Sequence, residues 1–190
     1  NLGQVSEDLW IRMLYGHPES IDESTIRAIA AHENICSYFD IPIQHASSQV
    51  LKRMGRGYDG DSLFRLYDKI RSIVPDAALR TTVIVGFPGE TDGDFQILLD
   101  FAEKIRFDHL GVFVYSDSEE QPSHRLPDHV PEKTAAERYE QLMGCQLKIS
   151  EQNNIKHLDK TYKVLIEEAP EPDLFIGRTA FQAPEVDGIT

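Results

Sequence analysis

The stretch LRTTVIVGFPGET, residues 79–91, decides how this chain is read. Thr81, Thr82, Val83, Ile84 and Val85 are all β-branched, which suits a central strand. Gly86 and Gly89 flank Phe87-Pro88, so the backbone can turn sharply and approach a ligand with no Cβ in the way. Thr91, with Asp94 three residues on, forms a capping-box pattern for a following helix. Strand, glycine-containing loop and helix start thus follow in order. Ligands of α/β proteins sit at the carboxyl ends of parallel strands, so this loop is the expected place for a small molecule. An ordinary βα turn is the alternative.

Outward from this stretch the same order repeats. Residues 10–15, WIRMLY, predict a short strand stopped by Gly16-His17-Pro18. Ser20 with Glu23 reads as a capping box for a helix through about residue 33, with Ile26, Ile29 and Ala30 on its apolar face. Residues 39–44 read as a strand interrupted by Pro42, which favours an edge, a bulge or a bend. A short helix follows, with Val50, Leu51 and Met54 inward and Gly55-Arg56-Gly57 at its end. Leu63, Leu66, Tyr67, Ile70 and Val74 share one face of a helix over 61–74. Phe95, Leu98, Leu99, Ala102 and Ile105 do the same over 92–106, and residues 109–115 form the next strand. Helices between successive strands demand crossovers and a parallel sheet, with the two longer helices on its outer face. Four strand–helix units are too few to close an eight-stranded barrel, and by pattern alone a small doubly wound sheet fits equally well.

Residues 116–131, SDSEEQPSHRLPDHVP, read as a long polar loop at the mouth of the sheet. Residues 132–158 form a long, mostly charged helix with a narrow stripe of Ala135, Tyr139, Leu142, Gln146 and Ile149. TYKVLIEE and LFIGRT then read as the first strands of a small β-barrel whose edges stay unpaired.

Composition narrows the function classes. The two cysteines, Cys36 and Cys145, are far apart in the chain, which gives neither a disulfide framework nor a cysteine cluster; a reducing cytoplasm is the default location. No apolar run approaches the roughly 20 residues of a membrane span. The net charge of −13 disfavours direct nucleic-acid binding, where a basic face is expected, and suits a basic protein partner. Acidity that only keeps the chain soluble is the alternative.

Four segments carry a family likeness: FDIPIQHASSQVLKRMGRG (39–57), GFPGET (86–91), LGVFVYSDSEE (110–120) and LFIGRTAFQAPEVDG (174–188). Together they resemble the radical S-adenosylmethionine (SAM) methylthiotransferases from Trp10 to the last residue. The last segment resembles the start of that family's small TRAM barrel. Within the family it is closer to the branch that thiomethylates an aspartate of a small-subunit ribosomal protein than to the tRNA-modifying branch. Gln121-Pro122 stand where the family has Gly-Thr, which bears on local loop shape and not on the fold.

The resemblance implies an α/β fold: the C-terminal part of an open, TIM-like radical SAM barrel with parallel strands, then an incomplete TRAM β-barrel. The expected division is 1–131 partial barrel, 132–158 linking helix and 159–190 start of TRAM. The implied cofactors are SAM and 4Fe–4S clusters. The family's CxxxCxxC motif is absent, so the cluster ligands are expected outside this chain, and the chain is expected to be a fragment that neither binds a cluster nor turns over alone. By resemblance, Gln44 and His45 lie on the ribose side of SAM and Val85 and Gly86 on the adenine side. Glu90 and Tyr115, at neighbouring strand ends, join the cofactor-binding set, as does His17 by position; a favourable charge at the helix N-terminus is the alternative for Glu90. Arg80 sits at the opposite end of its strand, where an ion pair is the alternative to a ligand contact. His124 and His129 are expected to be solvated rather than metal-bound. Glu185 and Asp187 are the candidate contacts to the ribosomal-protein partner, with a solvated turn before Gly188 as the alternative. A tRNA methylthiotransferase and a non-enzymatic α/β binding module are the competing functions.

Overall fold

The computed structural model describes residues 9–190, so the first eight residues of the expected barrel segment lie outside the described residues. Three strands, β1 (Tyr38–Asp40), β2 (Ala78–Val85) and β3 (His109–Val114), form a parallel sheet in the order β1-β2-β3. Parallel neighbours require crossovers. Helices α1 (Glu23–Ala30), α2 (Ser48–Arg53), α3 (Gly60–Ile73) and α4 (Asp92–Ile105) precede or link the strands, and the long α5 (Glu132–Asn154) follows them.

β2 alternates as a strand with two unlike faces must. Leu79, Thr81, Val83 and Val85 are fully buried on the helix side, whereas Arg80, Thr82 and Ile84 are half-buried on the other. The helix side packs against Leu63, Tyr67 and Ile70 of α3 and Phe95, Leu98 and Ala102 of α4 in one core. Tyr67 is its pivot. Its ring meets Phe107 edge-on at 5.0 Å, and its hydroxyl donates to the Ile41 carbonyl at 3.2 Å. At its N-terminus α4 has the expected capping box, with Thr91 and Asp94 each accepting the other's backbone N–H.

Several expectations are corrected. Residues 10–15 form no strand; Ile11 makes a single parallel bridge to Ile35. The extended backbone ends at Tyr15, whose φ is 57°, and the Tyr15 and Gly16 N–H groups turn to Asp40. The sheet therefore has three strands and a bridge rather than four strands among the described residues. Ser20 does not cap α1 but lies in a one-turn 3₁₀ helix, Pro18–Ser20; Asp22 caps it instead, accepting from the Thr25 N–H at 2.8 Å. Ala30 is exposed. The strand expected over 39–44 shrinks to the edge strand β1, because Pro42 has no N–H to give a ladder. Pairing returns at one bridge, Gln44 to Val83. Met54 caps the end of α2 and is only half-buried. On α5 the inward stripe includes Arg138 beside Ala135, Leu142, Gln146 and Ile149.

β4 (Leu165–Glu171) and β5 (Leu174–Arg178) pair antiparallel. Residues after β5 fold back, and Gly177 and Thr190 exchange backbone hydrogen bonds at 2.9 and 2.8 Å. This return places Ala183 in a second small core with Cys36, Tyr38 and Ala78, flanked by Trp10, Ala180 and Phe181. No helix among the described residues is long and apolar enough to cross a membrane.

Candidate cofactor site

Gly86 and Gly89 both have positive φ, 78° and 83°, which lets the chain reverse within four residues after β2. Neither tolerates a side chain. A Cβ on Gly86 would stand 2.5 Å from Ala135 Cβ, and one on Gly89 would overlap the Arg53 guanidinium. Arg53 lies across that loop, donating to the Pro88 carbonyl at 3.4 Å and facing Asp128 at 3.5 Å. Asp94 ties the start of α4 to α2 by accepting from the Ser47 hydroxyl. Burial opposes its ionisation, but the hydrogen bonds from Ser47 and Thr91 outweigh that and hold its carboxyl below the usual range.

A cleft of about 440 Å³ opens at the carboxyl ends of β1 and β2, with Gln44, Arg56, Ile84, Phe87, Pro122 and Leu126 around it. Ile84, Phe87, Pro122 and Leu126 supply apolar walls. Gln44 supplies an amide, and Arg56 a cation whose side chain makes no hydrogen bond or ion pair among the described residues. Size and lining suit a small molecule with a flat apolar part and an anionic end. Phe87 is held by the ring of Tyr115, edge-on at 5.2 Å, and the Tyr115 hydroxyl donates to Ser123 Oγ at 2.9 Å.

Of the residues singled out in the sequence, Gln44 lines this cleft and Tyr115 stands behind its wall. His45, Val85 and Glu90 do not line it. His45 is fully buried and its Nδ1 accepts from the Ser47 N–H at 2.9 Å. Gln44 has a left-handed backbone, φ 66°, so a turn rather than strand alternation sets Gln44 toward the cleft and His45 into the core, whereas along β2 alternation puts Ile84, not Val85, in the wall. Gly86 is pressed against Ala135 of α5. The Glu90 carboxylate turns back beneath the loop and accepts the N–H groups of Gly86 and Phe87. His17, almost half exposed, caps the one-turn helix beside it and meets Tyr58 edge-on. His124 and His129 gather around Asp117 at 2.9 and 3.9 Å on the exposed loop. The sequence reading missed Ile84, Phe87, Arg53 and Arg56 as wall residues; the alternation of β2 and the basic run after Val50 were the available signals.

The opposite end of the sheet holds a second polar cluster. Arg80 pairs with Asp40 at 2.8 Å, and Asp187 faces Arg80 Nε and His109 Nδ1, each at 3.5 Å. Tyr38 donates its hydroxyl to Asp187; burial, with the Asp187 carboxylate adding to it, pushes its phenol far up. Asp187 also accepts from the Ala183 N–H at 2.8 Å, and its side chain is 1% exposed. This revises the expected role of Asp187: its carboxylate is spent inside the molecule, whereas Glu185 is exposed. Arg80 is likewise an ion-pair residue here.

Residues 9–102 match the radical SAM superfamily and residues 160–190 the TRAM domain. The chain is 53% identical over 187 residues to the ribosomal protein uS12 methylthiotransferase RimO of Desulfosudis oleivorans, and 50% identical over 188 residues to that of Clostridioides difficile. These alignments cover 98% and 99% of this chain and 42% of each relative. The chain belongs to the radical SAM methylthiotransferase family. It spans less than half the length of the curated relatives it matches. Its fold is shared by coproporphyrinogen III oxidase (HemN) from Escherichia coli, a radical SAM enzyme, with a TM-score of 0.63 at 17% identity over 76% of this chain and 33% of that one. The parallel sheet is thus part of a radical SAM barrel fold, and the β4–β5 hairpin falls within the TRAM match.

Proposed function

We propose that this chain forms a cofactor-pocket wall and part of the docking surface of an enzyme that methylthiolates an aspartate of ribosomal protein uS12 by radical SAM chemistry. The single observation that carries the reading is the cleft beside the GFPGE loop, in a chain about half identical to enzymes named for that reaction.

The cleft fits SAM in kind. Ile84 and Phe87 offer a flat apolar surface for adenine beside the Val85–Gly86 backbone, Gln44 an amide for ribose hydroxyls, and Arg56 a cation for the carboxylate. SAM, when bound, supplies the methyl group and the radical chemistry for which the superfamily is named. The chain's own part is to bind and orient it: Tyr115 fixes the Phe87 ring, and Arg53 fixes the loop at Gly89. The described residues do not fit a 4Fe–4S cluster. No three His, Cys, Asp or Glu side chains among them converge to hold a metal, and Cys36 is buried in the core opposite the cleft. No step through a cluster is derived from this chain.

The division 1–131, 132–158 and 159–190 describes the barrel, linking-helix and TRAM parts. Glu185, exposed beside the buried Asp187, is the docking contact within reach of a basic partner, and the charge of −13 favours such a partner over phosphates. A ribosomal substrate places the enzyme in the cytoplasm. The test presents the full-length enzyme with uS12 and with tRNA in parallel, at low and high salt. Thiomethylation of uS12, weakening with salt in KM, is expected. Modified tRNA beside untouched uS12 would replace this reading with the tRNA-modifying one.

A further inference from the structure

The GFPGE loop is held from behind by a buried polar network whose side chains do not line the cleft. One oxygen of Glu90, Oε2, accepts the Gly86 and Phe87 N–H groups. The other, Oε1, accepts no hydrogen bond, yet two donors face it: His45 Nε2 at 3.8 Å and Arg138 Nη1 at 3.5 Å. The side chains of His45 and Glu90 are 0% exposed and that of Arg138 is 6% exposed. His45 Nδ1 accepts from the Ser47 N–H, so the proton of the neutral ring sits on Nε2 and points at Glu90. Arg138 also donates to the Glu90 carbonyl at 3.2 Å and to Asp92 at 2.7 Å.

We propose that His45 and Arg138 are positioning residues: through Glu90 they set the Gly86–Phe87 peptides, and with them the adenosyl-binding wall of the cleft. The network joins three elements that are distant in sequence: the segment after β1, the loop after β2, and α5. Phe87 is where it meets the cleft, because its N–H is held by Glu90 while its ring forms the wall. α5 therefore reports on the cofactor site without reaching it. The proposal rests on the cofactor reading above.

The test measures the affinity of the full-length protein for S-adenosylhomocysteine by calorimetry, with the thermal midpoint of each variant recorded beside it. His45→Phe and Arg138→Met are expected to weaken binding about tenfold, because a donor facing the buried Glu90 carboxylate is lost and the peptides it holds shift, while His45→Gln and Arg138→Lys recover most of it. Leu142→Ala, a fully buried change on the same helix outside the network, is expected to lower the midpoint and leave affinity within about twofold. Asp92→Asn alters an exposed partner of Arg138 and cannot collapse the core; a loss of about twofold to threefold is expected. Unchanged affinity in His45→Phe, Arg138→Met and Asp92→Asn, with wild-type binding intact, overturns the positioning role alone. So does an equal loss in Leu142→Ala. Wild-type protein that takes up no S-adenosylhomocysteine overturns the cofactor reading and this proposal with it.

Discussion

Replacing Asp187 tests whether the segment after β5 is anchored to the barrel or merely lies beside it. The carboxylate accepts from the Tyr38 hydroxyl and the Ala183 N–H and faces Arg80 and His109. Asp187→Ala strips the acceptor from two buried donors, each worth about 1–3 kcal/mol when left without a partner. Arg80 keeps Asp40 at 2.8 Å, so no cation is orphaned and the full penalty for breaking a buried pair does not apply. The two donors share one acceptor group and do not add fully, which leaves a cost of about 3 kcal/mol. Both donors bond the same oxygen, Oδ2, so the amide oxygen of Asp187→Asn can still accept from both and only the charge is lost, for about 1–1.5 kcal/mol. Tyr38 stays a donor throughout the working pH range because its ionisation is pushed so far up. Hydrogen exchange at the Ala183 N–H is the assay. A loss of 3 kcal/mol opens the segment about a hundredfold more often, and Glu185→Ala, at an exposed site, leaves exchange nearly unchanged. Equal exchange in wild type and Asp187→Ala would refute the anchor and return Asp187 to the solvent-facing role expected from sequence.

Three further outcomes follow from the same geometry. Gly89→Ala forces a side chain into left-handed backbone and drives Arg53 off the loop; a loss of about 2–3 kcal/mol in urea unfolding is expected, and a loss below about 0.5 would show that the loop yields. Gln44→Ala and Arg56→Ala each weaken S-adenosylhomocysteine binding about fivefold without moving the thermal midpoint; wild-type affinity in both would empty the cleft of its assigned role. Asp22 and Asp94 have lowered folded pKa values, so their caps are at full strength above the ordinary carboxylate value and are lost only as pH falls through the folded one; carboxyl-carbon NMR should place Asp22 at about 2 and Asp94 below its ordinary value, and ordinary values for both would refute the caps.

Much of the fold was legible because its signals are local. The β-branched run before Gly86, the helical spacing of Leu63, Tyr67 and Ile70, and the Thr91–Asp94 cap each lie within one turn or one strand, and each appears where the pattern put it. Pro42 marked an edge, a bulge or a bend for a local reason too, its missing N–H, and the strand before it lies at the sheet edge. Which of Ile84 and Val85 faces the cleft was not legible, for an equally simple reason. Period-two alternation says that neighbours face opposite sides, but not which side is the mouth, and that depends on where the helices pack.

The sequence by itself determined the family, the parallel order of the sheet and the glycine-containing loop after β2, because motif spacing and hydrophobic period are properties of the chain. Only the tertiary structure decided which atoms meet. Tyr38 and Asp187 are 149 positions apart, and the backbone of Glu90 lies 48 positions from Arg138. No local preference encodes such pairs; they form because burying a charged or polar group is costly unless the fold supplies its partner, and the partner is chosen by packing in three dimensions.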